Sequence, residues 1–347
     1  MKKRFYNFIC SLLSFYNRFY FQKLRVLGRE NIPIDGAILF SPNHQNALID
    51  PLLVGTTCKR SVHSLTRSDV FGGPWQWLLD AMQTLPVYRI RDGYEKLKRN
   101  KEVFENCYTL LGNKNNLMMF SEGKHHDQYY LQPLSKGSSR LAMEAQLRSP
   151  EHTIYLQAVG LNYGSYLHAR HDCVVVYGKA IAVSDFVADY QKHPAKGLNT
   201  MRDALQVAME ECLWLPYNND IYSQQKKFIN RRNTNLPFKE LKEKLKKKGP
   251  NLAIASEKSL LDAVLINLFS LPNIPVHLGL YFLRKQFDDH VFHGTINYLG
   301  GLILFPLWWG LALFLIAYNL GFYWSLPIFA CSIISLLIRQ NIIVKKL

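Results

Sequence analysis

The chain has 347 residues, enough for one sizeable core and something beyond it, and 42 Lys and Arg against 26 Asp and Glu give a formal charge of +16. So basic a protein meets nucleic acid or an anionic membrane surface. Zinc-finger spacing, RNA-binding aromatic motifs and a basic zipper are missing, and basic residues flank apolar runs (Lys2, Lys3 and Arg4; Arg339, Lys345 and Lys346), which favours the membrane. The six cysteines, at 10, 58, 107, 173, 212 and 331, form no CxxC pair, which argues against a zinc site or a redox dithiol.

In chain order, residues 2–25 read as a basic amphipathic helix. Phe5, Phe8, Ile9, Leu12, Tyr16 and Phe19 recur at helical spacing, while Arg4, Asn7, Ser11, Ser14 and Arg18 fall mostly elsewhere on the wheel. Such a helix, within a segment 1–28, lies in a membrane interface or packs on its own domain. Residues 29–223 then alternate short apolar runs with helical patterns. Strands are expected over 37–40, 117–120, 154–161 and 173–177, and helices over 95–111, 134–147 and 200–213. The alternation predicts an α/β domain whose central mixed, largely parallel sheet is flanked by helices.

Residues 224–258 are polar and basic and read as a solvated helix or linker. The last segment, 259–347, reads as membrane-embedded. Its first apolar run is broken by Pro272 and Pro275, which suggests a re-entrant or interfacial hairpin. No Asp, Glu, Lys or Arg occurs from 291 to 338, and two apolar runs there, 295–315 and 322–338, form a C-terminal transmembrane helical hairpin. Arg284 and Lys285 before it and Arg339, Lys345 and Lys346 after it place both ends on the cytoplasmic side. A buried soluble hairpin is the alternative.

Residues suited to chemistry cluster where apolar runs end, which is where open α/β sheets place their sites. His44 follows the first run, and Asp50 is the only acid between it and Asp69. An imidazole here can take a proton from an attacking hydroxyl while a carboxylate fixes its tautomer. That arrangement puts His44 in a loop and Asp50 in the first turn of the helix after it. Arg89 and Arg91 share one face of an extended segment and suit a phosphate. Phe120, Glu122 and Gly123 end the next run, where the glycine allows close approach of a ligand. His125, His126 and Asp127 are adjacent and point apart, so no metal is expected. Lys136 and Gly137 precede a helix and suit an anion.

Four motifs in this order resemble the glycerolipid acyltransferases typified by 1-acyl-glycerol-3-phosphate (lysophosphatidic acid) acyltransferase, over residues 25–190, and a bacterial subgroup with an apolar C-terminal extension. The resemblance implies that His44 and Asp50 are the catalytic pair. It implies that Arg89 or Arg91 binds the acceptor phosphate, that Phe120, Glu122 and Gly123 match the Phe-Pro-Glu-Gly motif, and that residues 159–163 match the fourth, apolar motif. The spacing from His44 to Asp50 is one residue longer than usual. Ser121 and Ala158 replace motif prolines, and Lys124 and His125 stand where Thr-Arg is common.

The expected substrate-binding set is therefore Asn43, Arg89, Arg91, Phe120, Glu122, Gly123 and Lys136. No cofactor is expected; acyl-CoA or acyl carrier protein serves as co-substrate. His44 deprotonates the acceptor hydroxyl, the alkoxide attacks the thioester, and backbone N–H groups near Gly123 or in the helix after His44 are candidate oxyanion donors. Expected partners are membrane lipids, the acyl donor and a glycerophosphate acceptor, with no nucleic acid. The acceptor is lysophosphatidate, glycerol 3-phosphate or an amino-acid lipid with a free hydroxyl. The expected location is the bacterial inner membrane, with the site on its cytoplasmic face.

Overall fold

A computed structural model of the chain describes residues 2–73, 76–88, 95, 98–247, 252–254 and 259–345. Its centre is a seven-stranded sheet built from β1 (Lys23–Leu27), β2 (Ala37–Pro42), β3 (Val62–Arg67), β4 (Thr84–Val87), β5 (Asn116–Met118), β6 (Ile154–Tyr163) and β7 (Asp172–Ala182), in the order β1-β7-β6-β2-β5-β3-β4. Every neighbouring pair is parallel except β6 and β7, which are antiparallel. The mixed, largely parallel sheet expected from the alternation is the one observed.

β2 sits mid-sheet and is buried throughout, so its side chains feed two cores by the period of two. Ile38 and Phe40 join one cluster with Leu13 of α1 (Lys2–Tyr20), and with Ile49, Leu53 and Val54 of α2 (Ile49–Thr57). Ala37 and Leu39 face the other cluster. They meet Cys107 and Leu111 of α3 (Asn100–Gly112), Leu141 and Met143 of α4 (Gly137–Arg148), and Leu198 and Met201 of α5 (Pro194–Glu211).

Helix α1 is shorter than its apolar periodicity suggests. Lys23, Leu24 and Arg25 leave the helix to pair with Asp172, Cys173 and Val174 in β7, because a ladder with a buried strand outweighs marginal helix propensity at an end. The basic stretch after 223 contains short helices among its described residues and is not free of the domain. Its principal helix α6 (Phe238–Lys246) buries Phe238, Leu241 and Leu245 against Trp214 and Val174.

Next come α7 (Leu260–Leu268) and α8 (Ile274–Lys285), bent by 47° where Pro272 interrupts the chain. α9 (Val291–Leu320) and α10 (Phe322–Lys345) are each long and apolar enough to cross a bilayer. Gly321 turns between them with φ 89°, a conformation that glycine adopts without Cβ strain. Trp309 Nε1 donates to Asn273 Oδ1 at 2.9 Å, and Asn273 Nδ2 donates to the Ser332 carbonyl at 2.9 Å, so these polar groups are paired within the helical layer.

Candidate active site

The carboxyl end of β2 delivers His44 into a loop, and α2 begins five residues later with Asp50 in its first turn. His44 Nδ1 lies 2.8 Å from Asp50 Oδ2. A carboxylate accepts only, so Nδ1 carries the proton and Nε2 is the free base. Asp50 is wholly buried, whereas the His44 side chain keeps 15% of its surface open.

The buried charge of Asp50 is satisfied on every side. Its Oδ2 also accepts from the backbone N–H groups of Gln45 and Asn46, each at 2.7 Å, and its Oδ1 accepts from the Tyr163 hydroxyl at 2.6 Å. Burial first, then the adjacent Asp50 charge, hold the Tyr163 hydroxyl far above its ordinary pKa, so it remains a donor. Tyr163 ends β6, the strand paired directly with β2, so the sheet itself fixes the carboxylate.

Phe120 stacks on His44, with ring centroids 3.7 Å apart and planes 17° from parallel. Glu122 is turned inward: Oε2 accepts from His44 N–H at 2.8 Å and Oε1 from Gln132 N–H at 2.9 Å. His126 Nε2 lies 3.3 Å from each of its oxygens. Its contacts within the chain therefore hold the His44 loop, a use the expectation of acceptor contact did not include. Gly123, with φ 75°, closes this turn by donating its N–H to Phe120 O at 3.1 Å. Below the pair, Ser41, Ser121 and Ser138 form a buried hydroxyl chain at 2.5 and 2.6 Å. The serine in place of the motif's proline is thus a link that ties β2 to α4.

Asn43 is buried and clamps β2 to β6, donating to Leu161 O at 3.1 Å and accepting from Leu161 N–H at 2.7 Å, so it supports the site from beneath. Lys136 is exposed at the start of α4, and its neighbour Ser135 supplies the backbone bond to Ser121 O at 2.8 Å. In the loop between His44 and α2, the N–H groups of Gln45 and Asn46 serve Asp50 and that of Leu48 serves Thr295 Oγ1, so these three donors are occupied. Arg89 and Arg91 lie outside the described residues.

The apolar C-terminal segment also reaches the site, a contact that has no local signal in the sequence. His125 packs edge-on to His44 at 5.5 Å and to Phe292 of α9 at 5.2 Å, and its Nε2 lies 2.7 Å from Asp289 Oδ2. Burial depresses the His125 pKa despite the carboxylate. Asp289, against its own partial burial, is held below its usual value by His125, so a neutral imidazole donates to an ionised carboxylate. A neutral His125 adds no positive charge beside the base. Gly294 fits where a Cβ would come within 2.3 Å of Asn46 Oδ1 and 2.4 Å of Tyr166 O, so only glycine lets α9 lie against the catalytic loop.

An open α/β sheet with a His–Asp pair at the carboxyl end of a central strand, its base partly open and its acid buried, is a frame for proton removal from a hydroxyl. Residues 23–179, which contain the whole pair, match the family model described as Acyltransferase. Among solved structures, the 1-acyl-sn-glycerophosphate (LPA) acyltransferase PlsC from Thermotoga maritima is similar at 12% identity and a TM-score of 0.42, over 61% of this chain and 81% of that one. No curated protein sequence matches the chain.

Proposed function

We propose that the protein is a membrane-bound O-acyltransferase that moves a fatty acyl group from acyl-CoA or acyl carrier protein to a hydroxyl of a glycerophosphate, with 1-acyl-sn-glycerol-3-phosphate as acceptor and phosphatidic acid as product. The carrying observation is the 2.8 Å bond between His44 Nδ1 and a fully buried Asp50, which leaves Nε2 as a base at the mouth of the domain that matches the Acyltransferase family model.

In this reading Nε2 takes the acceptor's hydroxyl proton as the oxygen attacks the thioester carbonyl. Asp50 steadies the imidazolium that forms, and the proton passes to the departing thiolate. No covalent acyl-enzyme is involved. Arg89 or Arg91 binds the acceptor phosphate. The apolar helices α9 and α10 keep the domain on the inner membrane with the site on its cytoplasmic face, where a lipid product leaves sideways.

The test is thiol release by membranes carrying the full chain, with acyl-CoA and acyl carrier protein donors run separately. The acceptors are lysophosphatidate, glycerol 3-phosphate and a hydroxylated amino-acid lipid. Release that requires lysophosphatidate and disappears in His44→Ala supports the proposal. Release with another acceptor reassigns the substrate, and no release with any pair from folded protein overturns the enzyme reading.

A further inference from the structure

Helix α1 carries three faces. Tyr6, Leu13, Asn17 and Tyr20 are buried against the domain. Phe8, Leu12, Phe15 and Phe19, repeating at helical spacing, form a second, outward stripe between 40% and 62% exposed. Asn7, Ser11, Ser14 and Arg18 line the third face, which is one wall of a groove of about 920 Å³.

The opposite wall comes from the turn between α2 and β3, with Lys59 and Arg60, and from Lys114 just before β5. Both turns feed the amino ends of parallel strands, so the groove opens at the edge of the sheet away from His44. It lies outside the catalytic centre.

Its charge is one-sided. Arg18, Lys59, Arg60 and Lys114 line it with no Asp or Glu, and among the described residues none of the four enters an ion pair. Arg60 is oriented by the carbonyls of Pro33 and Ile34, which position a guanidinium without neutralising it. Lys59 and Lys114 are held with φ 58° and 57°, a region lysine seldom visits, so both lips of the groove place a cation at some conformational cost.

The apolar stripe runs beside this groove, and Phe15 belongs to both. The same helix is fastened to the first apolar span. Tyr298 donates to Asn17 Oδ1 at 2.5 Å, and Tyr16 donates to Tyr298 O at 3.0 Å. A stripe tied to a span, next to a cationic groove, matches a lipid in both its parts: hydrocarbon against the stripe, an anionic head among the cations.

We propose that this groove binds the headgroup of an anionic membrane phospholipid, at a second lipid site distinct from the His44 centre and independent of the reaction assigned there. A soluble phosphate would satisfy the cations but has no use for the stripe, which is why the lipid is preferred.

The test uses the full chain in neutral detergent micelles, titrated with phosphatidylglycerol, phosphatidylcholine or inorganic phosphate while its melting temperature is followed. Phosphatidylglycerol alone should raise it. In Lys59→Glu/Lys114→Glu the apparent affinity should fall roughly tenfold or more. The equal charge change Lys192→Glu/Lys196→Glu, on exposed lysines elsewhere, should leave it intact. Arg18→Glu tests the other wall, and serves alone if the double variant fails to fold. An equal response to phosphatidylcholine or to phosphate overturns the proposal. So does an equal loss in the control pair, or a full response in both groove variants.

Discussion

His125 and Asp289 meet at 2.7 Å across 164 positions of sequence, and this contact joins the loop after β5, beside the catalytic pair, to the segment that leads into α9. It holds one imidazole edge-on to another, with His44 5.5 Å away. Asp289→Asn would remove the charge that anchors His125. Because Asp289 is about half exposed, the loss should be modest, about three- to tenfold in kcat/KM for acyl transfer. Thiol release in membranes measures it, and a rate equal to wild type would reduce the pair to a surface contact.

Asp50→Asn should act differently, because this carboxylate is buried and accepts four hydrogen bonds. An amide there presents a donor to N–H groups that already donate, and favours the wrong His44 tautomer. The rate should fall by about a thousandfold or more, with a lower melting temperature. Loss of rate without loss of stability would mean that the loop tolerates the amide and only the tautomer matters.

Tyr163→Phe isolates one of those bonds. The deletion leaves Asp50 Oδ1 buried with no hydroxyl donor while the bonds to Oδ2 remain. A charged-group bond of this kind contributes about 1.5–3 kcal/mol, so turnover should drop about tenfold or more with acceptor KM little changed. A raised KM with unchanged turnover would place Tyr163 in acceptor binding instead.

The sequence carried the skeleton of this site because His44, Phe120 and Glu122 follow apolar runs that are strands or abut them. Strand ends are legible from periodicity and breaks. β3 and β4 were not legible: Val-His-Ser-Leu-Thr-Arg is mixed in polarity, and Pro86 stands inside β4. The place of β4 at the edge of the sheet explains how it survives Pro86, since an edge strand tolerates a missing N–H. Roles taken from proximity in sequence were less secure. Asn43 adjoins the base yet points into the sheet, and Tyr163 lies 113 positions from the acid it steadies. Asp289 and Gly294 give no local signal at all, because their meaning depends on where α9 docks.

Part of the protein's acid sensitivity should trace to the buried imidazole of His171. His171 sits in the turn before β7 among the rings of Tyr20, Phe21 and Tyr163, and its Nδ1 lies 3.0 Å from the Asp172 carbonyl. Burial drives its pKa from 6.5 down to about 4, with the carbonyl bond opposing the shift. Between those values the unfolded chain takes up a proton that the folded chain refuses, so stability rises with pH through this window and is lost as pH falls from about 6.5 toward 4. The full effect is about 3 kcal/mol, of which about 2 kcal/mol is lost by pH 5. His171→Phe keeps an aromatic ring in place, and the Asp172 carbonyl still accepts from Gly164 N–H at 2.8 Å. The melting temperature of the variant in detergent should therefore fall less than wild type between pH 7.5 and pH 5. Equal falls would show that His171 contributes nothing to the acid lability, which then arises elsewhere.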